Sequence, residues 1–196
     1  MDDLAFQRKI PKEEYEIFEA KIPATQFFVA LLHGEKSPFK DCMEGLQEVF
    51  SPLDFQSTDH PFESSYYEAE IGTNLSRRII SFSTLLPADQ LAEAKHQCRI
   101  LEEEFAIQGN RSVNLDVGYL DQHRVVLASF KEMRNKIYLG KGVWADWSLQ
   151  YEKGHFNPLP WCFADFKSGV YEKDFLRIRE LYKKKLKEKQ KKKASL

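Results

Sequence analysis

The segment from Val113 to Gly142, VNLDVGYLDQHRVVLASFKEMRNKIYLGKG, decides the fold class. Apolar and polar residues alternate over Val113–Val117 and again around Ile137–Leu139. A period of two is the spacing of a half-buried β-strand. Residues 124–130 supply a partner strand, and Gly140-Lys141-Gly142 marks a turn. Consecutive short strands separated by turn residues predict an antiparallel meander.

The flanking sequence predicts further strands and three helices. Short runs rich in β-branched and aromatic residues indicate strands at 27–32 and 77–82. One helix begins at Ser37-Pro38, and a second runs from about Pro87 to Ala106 with apolar residues every three or four positions. The last helix carries an apolar face made of Phe175, Ile178, Tyr182 and Leu186.

This order of elements predicts the α+β class, with an antiparallel or mixed sheet and helices packed mainly on one face. A ferredoxin-like β-α-β-β-α-β half followed by extra strands would fit the order. The domain is expected to cover residues 25–186. Residues 1–24 are expected to form an N-terminal extension, and residues 187–196 a lysine-rich C-terminal tail.

The composition is that of a globular protein, because 42% of the 196 residues are hydrophobic and 13% are aromatic. No run approaches the roughly 20 apolar residues that a membrane span needs. The first residues contain no apolar signal-peptide core. Three cysteines, odd in number and without a C-x-x-C pair, favour free thiols in a reducing compartment. We therefore expect a cytoplasmic location.

The net charge of −1 conceals a basic end. Residues Lys183–Lys193 hold eight Lys and one Glu, and such a run could attract nucleic acid. The run lacks aromatic residues for base stacking, and cations are favoured at a helix C-terminus. A solvated helix end is therefore the favoured interpretation of the tail.

The common nucleotide-binding and hydrolase motifs are absent from the sequence. Gly140-Lys141-Gly142 lacks the preceding Gly and the following Ser or Thr of a P-loop. It also lies between predicted strands, whereas a P-loop opens a helix. There is no G-x-S-x-G, G-x-G-x-x-G or H-E-x-x-H motif either. These absences argue against a P-loop nucleotide hydrolase, and the residues identify no cofactor and no metal site.

Two patterns in the quoted segment have chemical potential. The strand period places Asn114 and Asp116 on one face, where paired polar groups could bind a ligand or act as a base. Lys141 lies between two glycines, whose exposed amides could join its ammonium in binding an anion. The alternatives are an ordinary solvated strand face and a tight hairpin with a solvated Lys.

A third pattern combines acidic and aromatic residues between 53 and 72, an irregular segment that includes Tyr67, Glu68 and Glu70. Alternating carboxylates could bind a hard cation through oxygen. The alternative is a polar loop held by its aromatic residues.

Several blocks together resemble a bacterial family known as domain of unknown function 4416. They are Val113–Leu120, Ile137–Val143, Tyr66-Tyr67-x-x-Glu70-x-Gly72, Arg77-Arg78 leading to Phe82, and Leu101–Ala106. The resemblance covers about residues 26–186 and implies no particular reaction. Some family members are labelled GTP-binding, yet Tyr138 stands where a guanine-reading Asn-Lys-x-Asp would need Asp. The family pattern usually has Met and His where this chain has Ile71 and Asn135.

Two hypotheses follow. In the first, the domain binds a small anionic or nucleotide-like ligand on a polar sheet face. Asp116 and Glu70 would then be the catalytic or metal-binding candidates, and Tyr67, Asn114, Tyr119 and Lys141 would bind the ligand. In the second, the chain is a non-catalytic protein- or nucleic-acid-interaction module that uses exposed aromatic residues and the basic tail.

Overall fold

The computed structural model describes residue 22 and residues 24–194 of the chain, so nearly all of the predicted N-terminal extension lies outside the described residues. The strands are β1 (Ala24–His33), β2 (Leu53–Gln56), β3 (His60–Pro61), β4 (Ser76–Phe82), β5 (Leu86–Pro87), β6 (Val113–Leu120), β7 (Arg124–Ser129), β8 (Ile137–Gly140), β9 (Val143–Glu152) and β10 (His155–Pro158). The helices are α1 (Phe39–Val49), α2 (Ser65–Ile71), α3 (Leu91–Glu104), α4 (Ala164–Lys167) and α5 (Glu172–Ala194).

All strand pairs in the sheet are antiparallel. The main path runs β10-β9-β7-β6-β1-β4-β2, with β3, β5 and β8 added at β4, β1 and β9. The α+β class is confirmed. Within the predicted meander β6 pairs with β7 and β8 with β9, but β7 pairs with β9 rather than with β8, which lies on the other edge of β9. The order β6-β1-β4-β2, with α1 and α3 as connections, is compatible with the ferredoxin-like arrangement.

Both faces of the sheet are buried. On the central strand β1, Phe27, Val29 and Leu31 enter one core, which α1 and α3 complete. The alternate residues Phe28 and Ala30 enter a second core on the opposite face, which α5 completes. Two helices thus share one face, as expected, and the C-terminal helix covers the other. Burial on both faces explains why β1 reads as an unbroken apolar run.

The segment expected to be irregular contains a short helix, α2. Its Ile71 packs with Leu32 and Leu75 in a small third cluster, against which Phe62 and Tyr67 also lie. Seven residues are too few for a stable isolated helix. Tertiary packing therefore stabilises the helical conformation of this segment. For that reason the local sequence pattern did not predict the helix.

The sheet splits between β6 and β7. The ladder between these strands joins only Gly118–Leu120 to Val125–Leu127. The preceding part of β6 pairs with β1 alone. Gly118 lies where the two strands meet, and a Cβ there would lie 2.4 Å from the Val126 carbonyl oxygen. Glycine permits this close approach, and the strands separate beyond it.

None of the helices in residues 24–194 has the length and apolar character that a membrane-spanning helix requires.

Candidate functional site

A cavity of about 270 Å³ lies at the split between β6 and β7. Residues of α2, α3, β6, β7 and β9 line it, together with residues of the 130–136 loop that joins β7 to β8. Its charged lining consists of five cations, Lys95, Arg99, Arg111, Lys131 and Lys136, and three carboxylates, Glu102, Asp116 and Asp146.

Two charged side chains of α3 satisfy the free edge of β6. Lys95 Nζ donates to the Leu115 carbonyl oxygen at 3.0 Å, and the Leu115 amide donates to Glu102 Oε1 at 2.6 Å. Buried backbone groups need hydrogen-bond partners. At Leu115 the two side chains make the hydrogen bonds that a neighbouring strand makes in a continuous sheet. Burial raises the pKa of Glu102. The seven-residue spacing of Lys95 and Glu102 places both on the same side of the helix.

A chain of polar contacts crosses one wall of the cavity. Arg111 donates to both carboxylate oxygens of Glu70, from Nε at 2.7 Å and from Nη2 at 2.6 Å. Its Nη1 donates to Asn114 Oδ1 at 2.9 Å, and Asn114 Nδ2 donates to Asp116 Oδ2 at 2.9 Å. The Arg111 guanidinium lowers the pKa of Glu70. Glu70 is therefore ionised, and its bidentate ion pair holds the Arg111 side chain in position.

The same chain continues into the protein through Arg77. This buried side chain donates from Nη2 to Asp116 Oδ2 at 3.3 Å and from Nη1 to Asp165 Oδ2 at 2.6 Å. The Tyr171 hydroxyl donates to the same Asp165 oxygen at 3.1 Å. Asp116 thus receives hydrogen bonds from Asn114 and Arg77, which hold its carboxylate in one position at the cavity.

A buried ion pair, Lys136–Asp146, lies on the opposite side of the split, with Nζ and Oδ2 3.8 Å apart. Lys136 Nζ also donates to Ser129 Oγ at 2.8 Å. Within residues 24–194, Asp146 Oδ1 is buried without a hydrogen-bond partner. Burial raises the pKa of Asp146 and lowers that of Lys136. Each shift is the effect of removing a charge from water, and the attraction between the two opposite charges opposes it.

Aromatic rings accompany four of the five cations. The charged groups lie 5.7–6.0 Å from the ring centres, within the range of cation–π attraction. The pairs are Lys95 with Phe130, Arg111 with Tyr67, Lys131 with Tyr66, and Lys136 with Phe163.

The structure brings three of the six sequence candidates to the cavity lining, namely Tyr67, Asn114 and Asp116. Glu70 lies directly behind, through its pair with Arg111. Burial raises the pKa of Tyr67 to about 12, so its phenol is neutral. The two remaining candidates, Tyr119 and Lys141, are not in the lining.

Tyr119 and Lys141 have other contacts. Tyr119 packs against the α1/α3 core with its ring centre 6.2 Å from that of Phe27. The strand period places it opposite Asn114 and Asp116. Lys141 occupies the tip of the β8–β9 hairpin with φ 52° and pairs with Glu93 Oε2 at 2.8 Å.

Sequence reasoning missed most of the cations. Lys95 and Arg99 flank the apolar stripe of α3, and their helical spacing is the one signal that could have grouped them with Glu102. Arg111 and Lys136 lie in connecting segments without periodicity. Asp146 occupies an ordinary position in the alternation of β9. Only the pairing of distant segments brings these residues together.

The arrangement favours anion binding over metal binding. Among the described residues, no three His, Cys, Asp or Glu side chains come together as metal ligands would. Each of Asp116 and Glu70 instead receives hydrogen bonds from an arginine. The cations outnumber the carboxylates, and burial raises the pKa of two of those carboxylates, Glu102 and Asp146.

Comparison with known proteins gives one family match. The family described as Domain of unknown function (DUF4416) matches residues 23–182, most of the chain. No curated protein and no solved structure matches the sequence. Since the match spans the whole sheet, α3 and all of the cavity lining, the chain belongs to the DUF4416 family.

Proposed function

We propose that the cavity between β6 and β7 binds a small anionic ligand. The observation that carries this proposal is the convergence of five cations from separate segments on a cavity of about 270 Å³. Charges in a partly enclosed site attract an anion more strongly than surface charges do, because less water and salt screen them.

The cations differ in how readily they could meet a ligand. Lys95 and Lys136 are committed to protein acceptors at Leu115 and Ser129. Lys131 is exposed, and its ammonium lies 5.8 Å from the centre of the Tyr66 ring. We therefore assign the first contact with an anion to Lys131, and the deeper cations supply the field that retains it.

Asp116 and Glu70 have different roles in this proposal. The Asp116 carboxylate lines the cavity with about 29% of its side chain exposed, so a ligand could reach it. It is the candidate acid–base group. Glu70 acts through Arg111 as a positioning residue. If an Asp116→Asn variant binds the ligand as tightly as the wild type does, the Asp116 carboxylate does not contribute to binding. Its role would then be limited to acid–base chemistry or to the structure of the site.

Calorimetric titration with pyrophosphate tests the proposal. Replacing Lys131 with Met should weaken binding by about tenfold or more, because one charge-assisted hydrogen bond contributes roughly 1.5–3 kcal/mol. Lys141→Met is the matched control, since that exposed lysine lies outside the cavity lining and pairs with Glu93. Binding should also weaken at high salt.

The two lysine variants distinguish the cavity from the hairpin. Loss of binding in Lys141→Met alone would move the anion site to the Gly140-Lys141-Gly142 turn. Absence of binding by the wild-type protein to pyrophosphate, phenyl phosphate and methyl phosphate would refute the proposed function.

A second candidate function rests on α5. Arg179, Lys183, Lys184 and Lys187 line a basic groove with Tyr151. The Arg179 guanidinium lies 3.5 Å from the centre of the Tyr151 ring. Cations combined with an aromatic ring are used to bind single-stranded nucleic acid.

Fluorescence anisotropy with a labelled oligonucleotide tests this second function. Binding should be salt-sensitive, and a Lys183→Glu, Lys187→Glu variant should lose it. Equal binding by this variant and the wild type would refute the interaction.

The cellular setting is also a proposal. We infer a bacterial cytoplasmic protein with one α+β domain over residues 25–186, an extension before it and a lysine-rich tail after it. The support is the resemblance described above and three buried cysteines that are all free thiols, Cys42, Cys98 and Cys162.

A further inference from the structure

We infer that the ligand of this cavity carries an aromatic ring beside its anionic group, and that Tyr66, Phe130 and Phe163 hold the ring. This inference rests on the proposed anion site and specifies its ligand. The three residues come from α2, from the 130–136 loop and from the segment before α4, and all three line the cavity.

Exposure distinguishes these rings from the aromatic residues of the core. Tyr66 is 61% exposed, Phe163 50% and Phe130 41%. An apolar ring gains free energy when it leaves water, and large apolar surface left exposed around a concavity is typical of a binding site. Three segments far apart in sequence each present such a ring at the same cavity.

Charge complementarity specifies what these rings would contact. Lys95 lies near Phe130, Lys131 near Tyr66 and Lys136 near Phe163. Lys95 and Lys136 have acceptors within the protein, so a purely apolar ligand would leave Lys131, the exposed cation of the three, without an anionic partner. A simple inorganic anion would leave the rings in water. A ring that bears a phosphate or carboxylate satisfies both parts of the lining at once.

The surroundings of the cavity favour a single small molecule over a polynucleotide. The residues that directly follow Lys136 are Ile137, Tyr138 and Leu139 of β8, which are exposed and uncharged. A nucleic-acid strand needs a basic track along its phosphates, and this strand provides none.

The test compares three probes by calorimetric titration: phenyl phosphate, methyl phosphate and phenol. The first has ring and charge, the second only charge and the third only the ring. Wild-type protein should bind phenyl phosphate about tenfold more tightly than methyl phosphate, the scale of one stacking contact, and should bind phenol more weakly than either.

Substitutions at the rim locate the effect. Phe163→Leu and Tyr66→Leu should each reduce the preference for phenyl phosphate to about threefold or less and leave methyl phosphate binding unchanged. Trp161→Leu is the matched control, because Trp161 is exposed and two residues from Phe163 but is not in the cavity lining. Thermal unfolding of each variant checks that the fold is retained.

The outcomes separate this inference from the proposed function. Equal affinity for phenyl and methyl phosphate would overturn the ring requirement and leave the anion site in place. Failure of both phosphates and of pyrophosphate to bind would overturn both. An equal loss of both phosphates in Phe163→Leu and Tyr66→Leu would show that these rings support the site without selecting its ligand. Binding of an oligonucleotide but of neither phosphate, retained in the Lys183→Glu, Lys187→Glu variant, would assign the cavity surface to nucleic acid and overturn the inference.

Discussion

At the scale of single residues, Gly118 marks the point where the ladder between β6 and β7 begins, beside the split. A Cβ at this position would lie 2.4 Å from the Val126 carbonyl oxygen and 2.7 Å from Cζ of Phe28. Both neighbours belong to the sheet or its core, so neither can move freely. The edge of the cavity therefore depends on a residue without a side chain.

Gly118→Ala should reduce the free energy of unfolding by about 1–3 kcal/mol, the usual cost of overpacking a core position. Urea denaturation measures the change. Gly34→Ala is the control, since its Cβ would lie no closer than 3.2 Å to any neighbour and its cost should be smaller. Equal free energies of unfolding for Gly118→Ala and wild type would contradict this expectation. They would mean that β6 and β7 can move apart at residue 118 without loss of stability.

Asp59 carries a second effect at the residue scale. Hydrogen bonds from Arg78, with a further contribution from His33, lower its pKa from 3.8 to about 2. A carboxylate whose pKa is lower in the folded than in the unfolded state stabilises the fold above its unfolded pKa. That contribution is lost as the pH falls through the folded pKa, here between about pH 4 and pH 2.

Between pH 5 and pH 2.5, wild-type protein should therefore lose more stability than Asp59→Asn, which lacks this ionisable group. Urea unfolding at the two pH values measures the difference. Asp41→Asn removes an exposed carboxylate on α1 and should follow the wild type. A parallel loss in wild type and Asp59→Asn would exclude the contribution of the Arg78 pair.

At the scale of secondary-structure elements, α3 acts as a substitute for a neighbouring strand. Its Lys95 and Glu102 satisfy the carbonyl and amide of Leu115 where β7 has separated from β6. Without them the free edge would leave buried backbone groups unpaired, which costs free energy. The helix thereby stabilises the split that forms the cavity.

Glu102→Leu should lower the free energy of unfolding by about 1–3 kcal/mol, because it leaves the Leu115 amide buried without an acceptor. Glu102→Gln keeps an acceptor oxygen of similar shape and should cost less. Hydrogen exchange of the Leu115 amide gives a local readout, with faster exchange expected in Glu102→Leu only. Unchanged exchange in that variant would show that solvent or another group satisfies this edge.

At the scale of the whole molecule, α5 closes the second core. Phe175 is fully buried, and its ring makes an edge contact with Phe28 at 5.0 Å between ring centres. The helix spans Glu172–Ala194, so it combines the apolar face that covers the sheet with the lysine-rich end of the chain. Removal of its apolar anchors would expose the face of the sheet that carries Phe28 and Ala30.

Phe175→Ala should reduce the free energy of unfolding by about 3–5 kcal/mol, the usual cost of removing a buried Phe side chain. The control is Val170→Ala, a truncation at an exposed apolar residue just before α5, which should change stability by no more than about 0.5 kcal/mol. A small effect of Phe175→Ala in urea or thermal unfolding would mean that α5 is not required for a stable sheet.

The local pattern of the sequence predicted the α+β class, the meander and the main helices, because periods of two and 3.6 residues are properties of neighbouring residues. The same rule explains why Tyr119, expected to bind the ligand, lies outside the cavity lining. Tyr119 shares the parity of Val113, Leu115 and Val117, and so it belongs to the opposite face from Asn114 and Asp116. Lys141, by contrast, pairs with Glu93 across 48 positions of sequence, which no local pattern reveals.

The sequence by itself therefore determined the main strands, the three longer helices, the apolar faces that enter the cores, and the family, whereas α2 depends on tertiary packing. The tertiary structure alone decided where the sheet splits and which charges meet there. Arg111 and Glu70 lie 41 positions apart in sequence, and Lys95 and Leu115 lie 20 apart. Such contacts depend on strand pairing and packing across the whole domain, and the cavity at the split between β6 and β7 exists only when all of them form together.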